Sequence, residues 1–365
     1  MTPDGIINIY KEKNMTSHDV VGHIRRILGV KRVGHTGTLD PMATGVLPVC
    51  VGRSAKVMEY LDTDLKKYRC TMLLGRSTNT FDIWGEPEEE TPEEAVNRIT
   101  ERDVVSALEK FRGRITQLPP LYSAVKVNGK RLYEYARKGR DVDIPEREVF
   151  ITSLEIEDME LGRGYDSWVR FSCECTKGTF IRSICHDAGE AIGVHAVLSE
   201  LERTASGVFT VDTAVTLDDL RKMCGYTRET EPHGGSIQNG KQNRSGALSD
   251  DVLAMLRPPD DVLGMFGSAE MKPDTALRLI NGLEIERRAY EITKFPRYSR
   301  HDFYFPVREE YGRMYRLYSS IPDDMEIPGR PEGVQWYPER GGLRFIGLAE
   351  MNEDNGHLVP VKIFI

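Results

Sequence analysis

The chain has 365 residues, long enough for two domains and a sizeable core, its 39% hydrophobic and 29% charged content is that of a soluble globular protein, and its net charge of −8 argues against a uniformly basic nucleic-acid binder. No apolar run is long enough to span a bilayer, and no basic-then-apolar leader opens the chain. Six cysteines without a C-x-x-C pair suggest neither a disulfide framework nor a zinc ribbon, so a reduced, cytoplasmic setting is expected.

Gly5 to Tyr10 reads as a short strand. Ser17 is placed to cap a helix whose apolar residues Val20, Val21, Ile24, Ile27 and Leu28 follow the 3.6 period, with Gly29 as its stop. The stretch Gly34-His35-Thr36-Gly37-Thr38-Leu39-Asp40-Pro41-Met42-Ala43-Thr44-Gly45 then presents one carboxylate, Asp40, among glycines that permit close approach and a proline that fixes φ. A ligand-accessible loop and an ordinary tight turn with a turn aspartate both fit this composition.

Val46 to Val51 is an apolar strand whose Pro48 suggests an edge, and Ala55 to Leu61 a short helix. Lys66 to Gly75 alternates as a strand with Tyr68 near its start, either a half-buried sheet tyrosine or an exposed aromatic face. Ser77 to Gly85 is a polar loop carrying Asp82, and a helix is expected from about Glu101 to Phe111.

Leu118 to Lys130 combines a rigid Pro119-Pro120 entry, a strand and an Asn128-Gly129 hairpin signal. Six basic residues between Lys126 and Arg140 (Lys126, Lys130, Arg131, Arg137, Lys138 and Arg140) oppose a single acid, Glu134, with Tyr133 and Tyr135 interleaved. The acidic excess sits elsewhere, for example from Glu86 to Glu94. A basic and aromatic stretch of this kind suits phosphate contacts and stacking on unpaired RNA bases, and a solvated basic helix fits it equally.

Val149 to Glu157 and Trp168 to Thr176 have period-2 strand patterns. The second runs into Lys177-Gly178-Thr179-Phe180-Ile181-Arg182-Ser183, where a helix begins with Phe180, Ile181, Ile184, Cys185, Ala188 and Ile192 as its buried stripe. Arg182 lies off that stripe in the first turn, where the helix dipole gives a cation nothing, so a carboxylate partner is expected to hold it. Leu201 to Phe209 closes this unit and Thr216 opens another helix. Gly225 to Asp250, nearly without large apolar residues, reads as a flexible insertion. Apolar periodicity resumes from Leu253 to Leu283, and Ile285 to Ile365 is strand-rich, with arginines and aromatics between Arg297 and Arg316 that suit a core more than an RNA platform.

The glycine loop is neither a P-loop nor a dinucleotide fingerprint, and the eight histidines form no metal-ligand pattern. Chemistry on this chain is therefore expected from acid, base and nucleophile side chains, without cofactor or metal.

Taken in order, Gly34 to Val49, Lys67-Tyr68-Arg69 with Leu74-Gly75, Thr80-Phe81-Asp82 with Gly85, Pro119 to Lys126, Gly129 to Gly139 and Lys177 to Ser183 are very similar to the signature segments of the bacterial tRNA pseudouridine-55 synthases, the TruB type. The likeness is strong over about residues 5 to 223. It implies an α+β pseudouridine synthase fold, with a mixed, largely antiparallel sheet, flanking helices and a small C-terminal PUA-like β-barrel. The corresponding division is a catalytic domain over residues 1–284, with 225–250 as the insertion, and an RNA-binding domain over 285–365.

The implied reaction is isomerisation of a uridine in the TΨC loop of tRNA, with no cofactor, metal or membrane and with the protein as a monomer. By the resemblance Asp40 matches the catalytic aspartate, Tyr68 the tyrosine that stacks on the target base, and Arg182 the arginine that pairs with the aspartate. His35, Phe180 and Leu201 match positions that contact flipped nucleotides or line the uracil pocket. A base inside a folded loop must be flipped out at a cost of roughly a few kcal/mol, and stacking on an aromatic returns about 1–3 kcal/mol.

The chain departs from the family pattern at Lys11-Glu12, where Lys-Pro is frequent, at Phe180, where tyrosine is common, and at Glu202, where an arginine often precedes Arg203. A tRNA-binding or tRNA-folding protein without essential catalysis, and a synthase for another RNA, are the alternative expectations.

Overall fold

The computed structural model describes residues 3–61, 65–229, 250–297, 309–322, 325, 337 and 340–364. The expected insertion therefore lies mostly outside the described residues, as do Tyr298 to Arg308. Two compact units are formed, one by Met1–Pro41, Leu47–Thr63 and Asp212–Ile365, the other by Met42–Val46 and Asp64–Val211.

In the first unit, β1 (Gly5–Lys11) leads to α1 (Ser17–Leu28). The cap of α1 is Thr16 and not Ser17. The Thr16 side chain accepts from the Asp19 N–H at 3.1 Å, while the Asp19 carboxylate accepts from the Thr16 N–H at 2.8 Å, a reciprocal capping box. The Thr16 hydroxyl bond holds the Asp19 carboxyl below its ordinary range. Val20, Val21, Ile24, Ile27 and Leu28 are buried as the periodicity predicts, and Gly29 closes the helix at φ +63°.

The strands β2 (Val33–His35) and β3 (Thr44–Val51) follow, with Val33 opposite Val51 and His35 opposite Val49. Contrary to the edge expected from Pro48, β3 has β1 on one side and β2 on the other. Pro48 sits just beyond the last β2 pair, where no N–H is required of it, and its carbonyl accepts from the Thr36 N–H at 3.1 Å. The short helix expected at Ala55 is a 3-10 helix over Gly52–Tyr60.

The second unit is built on an antiparallel sheet. Its strands are β4 (Lys66–Leu74), β5 (Arg76–Thr78), β6 (Pro87–Glu90), β7 (Gly113–Gln117), β8 (Lys126–Val127), β9 (Lys130–Arg131), β10 (Arg147–Glu160), β11 (Trp168–Cys175), β12 (Ala196–Ser206) and β13 (Phe209–Thr210). The sheet runs β12-β4-β11-β10-β7, every neighbouring pair antiparallel, while β5 and β6 form a separate hairpin. Helices α2 (Glu93–Val96), α3 (Glu101–Glu109), α4 (Leu132–Ala136) and α5 (Ile181–Ile192) belong to this unit. Ile181, Ile184, Cys185 and Ala188 of α5 share one core with Cys70, Met72, Phe171 and Leu198 of the sheet, so period-2 and period-3.6 patterns meet face to face.

After Val211 the chain rejoins the first unit with α6 (Leu217–Met223), capped by Thr216 as expected, and α7 (Asp250–Met255). The apolar stretch from Leu253 to Leu283 contains a strand, β14 (Gly267–Met271), and then α8 (Pro273–Ile280). With β15 (Tyr290–Lys294), β16 (Met314–Ser319), β17 (Arg344–Met351) and β18 (Leu358–Ile363), β14 forms a five-stranded sheet ordered β15-β14-β16-β17-β18. Only the β14–β16 pair is parallel. Tyr311 and Tyr315 are core residues here, and Arg313 is occupied by Glu350 and Glu353. No helix among the described residues is long and apolar enough to cross a membrane.

Candidate active site

Asp40 is half-buried in the loop between β2 and β3, and its two sequence neighbours are both tied down. On one side the Leu39 N–H donates to Ser17 Oγ at 2.8 Å, and the same hydroxyl donates to the Leu39 carbonyl at 3.1 Å. On the other side the Pro41 carbonyl accepts from the Asn14 N–H at 3.0 Å and from Lys11 Nζ at 3.1 Å. Lys11 is fully buried, and its ammonium also donates to the carbonyls of Glu12 at 2.9 Å and Met15 at 2.8 Å. Three donors meet three acceptors, which makes burial of the charge tolerable. The carboxylate thus stands on a backbone clamped at both adjoining residues. His35 ends β2, half-buried.

Two of the loop glycines answer to the protein and not to a ligand. A Cβ on Gly34 would lie 2.9 Å from the Met58 side chain. One on Gly45, at φ +102°, would lie 2.3 Å from the Arg203 carbonyl oxygen. Close backbone approach is what these positions demand, as the composition predicts, but the approaching atoms are Met58 and Arg203.

In the second unit Tyr68 and Leu201 pack against the core that α5 also covers. Tyr68 lies opposite Arg203 on β12 and opposite Cys173 on β11. Burial pushes its hydroxyl up to about 12, against the pull of the Arg203 guanidinium, which hydrogen-bonds it. The hydroxyl is therefore neutral at physiological pH. Arg203 itself is almost wholly buried and donates from Nε to the Val46 carbonyl at 2.7 Å.

Phe180 is the residue before α5, and one side chain reads both of its backbone groups. Gln117 Oε1 accepts from the Phe180 N–H at 2.9 Å, and Gln117 Nε2 donates to the Phe180 carbonyl at 3.1 Å. Two residues on, Arg182 is buried, and its guanidinium donates to the carbonyls of Thr80 at 2.9 Å and Tyr122 at 3.1 Å. Within this unit a carboxylate does stand beside it, that of Asp82, 3.5 Å from Nη1, both side chains being mostly shielded from water. Asp82 is oriented in turn by the Thr80 hydroxyl at 2.8 Å and the Trp84 N–H at 3.2 Å.

Lys126, Lys130, Arg131, Arg137, Lys138 and Arg140 are all exposed. They surround a two-residue hairpin in which Asn128 and Gly129 hold φ of +50° and +78°, the conformation that an Asn-Gly turn favours. Arg131 and Arg137 both face the Tyr133 ring, at 5.8 and 5.3 Å from its centroid. Six cations and an aromatic are thereby displayed on one small hairpin-helix element.

Lys11, Gln117 and Arg203 were given no part in the site from sequence, and Ser17 was read there only as a helix cap. Each acts on backbone far away in the chain, and only the buried charge of Lys11, at the end of an apolar strand, left a trace in the pattern. Among the described residues no group of three or more His, Cys, Asp or Glu side chains could hold a metal ion.

The model of the N-terminal domain of the TruB family of pseudouridylate synthases matches residues 25–181, and that of the tRNA pseudouridylate synthase B C-terminal domain matches residues 182–262. The tRNA pseudouridine synthase B of Symbiobacterium thermophilum is 47% identical over 255 residues, covering 70% of this chain and 83% of that protein. The chain belongs to the TruB family. The TruB enzyme of Clostridium tetani is 43% identical over 219 residues, covering 60% of this chain and 73% of its own length. Among solved structures, a chain of a Cbf5-Nop10-Gar1 complex superposes with a TM-score of 0.63 at 22% identity, covering 100% of this chain and 86% of that one. That likeness concerns the fold. The α+β architecture expected of a TruB protein, with a β-rich C-terminal part, is the one observed.

Proposed function

We propose that this chain isomerises uridine 55 in the TΨC loop of tRNA to pseudouridine, acting as a cytoplasmic monomer, with residues 1–284 as the catalytic part and 285–365 as an RNA-binding part, to whose sheet β14 (Gly267–Met271) is joined by its pairing with β15 and β16. The observation that carries the reading is the clamped Asp40 loop. A carboxylate that attacks the sugar or removes a sugar proton needs a fixed direction, and Ser17, Asn14 and Lys11 restrain the backbone on both sides of it. Relatives named tRNA pseudouridine synthase B support the reaction and the substrate. The six cysteines are all thiols, which supports a reducing compartment.

In this reading the N-glycosidic bond breaks, the uracil turns, and a carbon–carbon bond forms at C5, with the C5 proton lost and one proton gained by the freed N1. Tyr68 stacks on the flipped base, Phe180 and Leu201 wall the uracil, and His35 meets the flipped nucleotides. Arg182 sustains the ionised carboxylate of Asp40. The Lys126 to Arg140 element grips phosphates.

The test is incubation of an unmodified tRNA transcript with the protein, followed by nucleoside chromatography and carbodiimide-dependent primer extension. Pseudouridine at position 55 supports the reading. Binding without any pseudouridine returns the protein to the tRNA-binding class, and modification confined to another RNA changes the substrate.

A further inference from the structure

Arg182 and His186 are four residues apart on α5, so they stand one turn apart on one face. Between them they meet three consecutive residues, Thr80, Phe81 and Asp82, of the loop between β5 and β6. The Thr80 carbonyl accepts from Arg182 Nη1 at 2.9 Å, and the Asp82 carboxylate lies 3.5 Å from that nitrogen. Between them the Phe81 ring lies flat on the His186 imidazole, with centroids 4.0 Å apart and planes 10° apart.

Phe81 holds φ at +62°, a left-handed conformation that a residue with a Cβ adopts only when its surroundings impose it. One side of the constraint is β12, where the Leu198 N–H donates to the Phe81 carbonyl at 3.0 Å and the Leu198 carbonyl accepts from the Ile83 N–H at 3.0 Å. The other side is His186. Its Nδ1 is buried without a hydrogen-bond partner, so that nitrogen does not anchor the ring. What it offers the loop is a flat face.

We infer that His186 is a positioning residue for Arg182: by stacking on Phe81 it holds the left-handed turn that brings the Thr80 carbonyl and the Asp82 carboxylate onto the guanidinium. The inference rests on the reading in which Arg182 belongs to the catalytic centre. One helical turn then grips three consecutive loop residues, and the direction of the guanidinium follows from the stack.

The test compares His186→Phe, which keeps a flat aromatic, with His186→Leu, which does not. His186→Leu is expected to lower kcat for pseudouridine formation by about ten- to a hundredfold with KM for tRNA within about twofold, as a misplaced charged group does. His186→Phe is expected to restore most of the rate. Phe81→Gly, which keeps the backbone conformation and removes the ring, should reproduce the loss, and its combination with His186→Leu should add nothing further. Wild-type kcat in His186→Leu, equal losses in the two His186 variants, or losses that multiply in the double variant would overturn the inference. A second readout needs no turnover: nitrogen-15 spectra should show slowly rotating Arg182 Nη–H groups, assigned through Arg182→Lys, in wild type and His186→Phe but averaged ones in His186→Leu. Persistence of those signals in His186→Leu contradicts the positioning role whatever reaction the protein catalyses, whereas absence of pseudouridine in the wild type counts against the functional reading alone.

Discussion

Tyr68 and Arg203 stand opposite each other across the β4–β12 ladder, and the hydroxyl of the first shares the buried guanidinium of the second with the carbonyl of Val46. The arginine thus links the tyrosine to the backbone where β3 begins, next to the glycine that its own carbonyl crowds. Arg203→Met removes the donor to both groups and is expected to lower stability by about 2–3 kcal/mol, the cost of leaving buried acceptors unsatisfied. Urea denaturation measures it. A loss under about 0.5 kcal/mol, as for an ordinary surface change, would show that the two acceptors find other donors.

Lys11 does for the Asp40 loop what Arg203 does for Tyr68. Its ammonium is the common donor to the carbonyls of Glu12, Met15 and Pro41. Lys11→Met leaves three acceptors without this donor but also removes a buried charge, so the expected net loss is about 2 kcal/mol. Because Pro41 adjoins Asp40, kcat should fall as well, while tRNA affinity should not. Steady-state kinetics beside a melting curve separate the two effects, and a variant that melts lower yet turns over at the wild-type kcat would show that the clamp serves folding only.

Acid sensitivity has an identifiable contributor in α6. Hydrogen bonds from Arg228 and then Arg221 hold the Asp218 carboxyl at about 2, below its ordinary 3.8. A depressed folded-state value contributes stability that is fully present above 3.8 and is lost as pH falls toward about 2. Asp218→Asn should therefore lower the urea midpoint at neutral pH and flatten its decline across that acid window. An unchanged acid limb would assign the loss to other carboxylates, such as the depressed Asp19 and Asp219 of the capping boxes.

The basic hairpin-helix element makes a prediction about salt. Reversing the charges of Arg137, Lys138 and Arg140 should weaken tRNA binding and reduce the slope of log affinity against log salt by roughly 2 to 3, at about 0.9 for each phosphate no longer neutralised. Filter binding over a range of ionic strength measures both. An unaltered slope would make these three exposed cations part of a solvated face.

Local signals in the sequence carried far. The alternation of Lys66 to Gly75 and Trp168 to Thr176, the stripe of α5 and the Asn128-Gly129 turn appear where their periods place them, because the faces they predict are the faces that are buried. Adjacent capping residues misled: Thr16 and Ser17 can both cap, and only the Asp19 box and the pull of Leu39 on the Ser17 hydroxyl decide between them. Pro48 suggested an edge because a missing N–H is visible in sequence while the residue at which a ladder stops is not. For Arg182 the type of partner was legible from its place in the first turn of α5. Its identity within the second unit, Asp82, depends on an interaction spanning 100 residues. Gly45 was legible as a close approach, and the atom approaching it, the Arg203 carbonyl, was not.

The proposed isomerisation depends on Asp40, and release of tritium from C5-labelled uridine in a tRNA transcript reads that step directly. Wild-type protein should release tritium in step with pseudouridine formed, and Asp40→Asn should lower the rate by roughly a thousandfold or more while still binding the transcript. Turnover by Asp40→Asn at a rate near that of the wild type would contradict a catalytic role for this carboxylate.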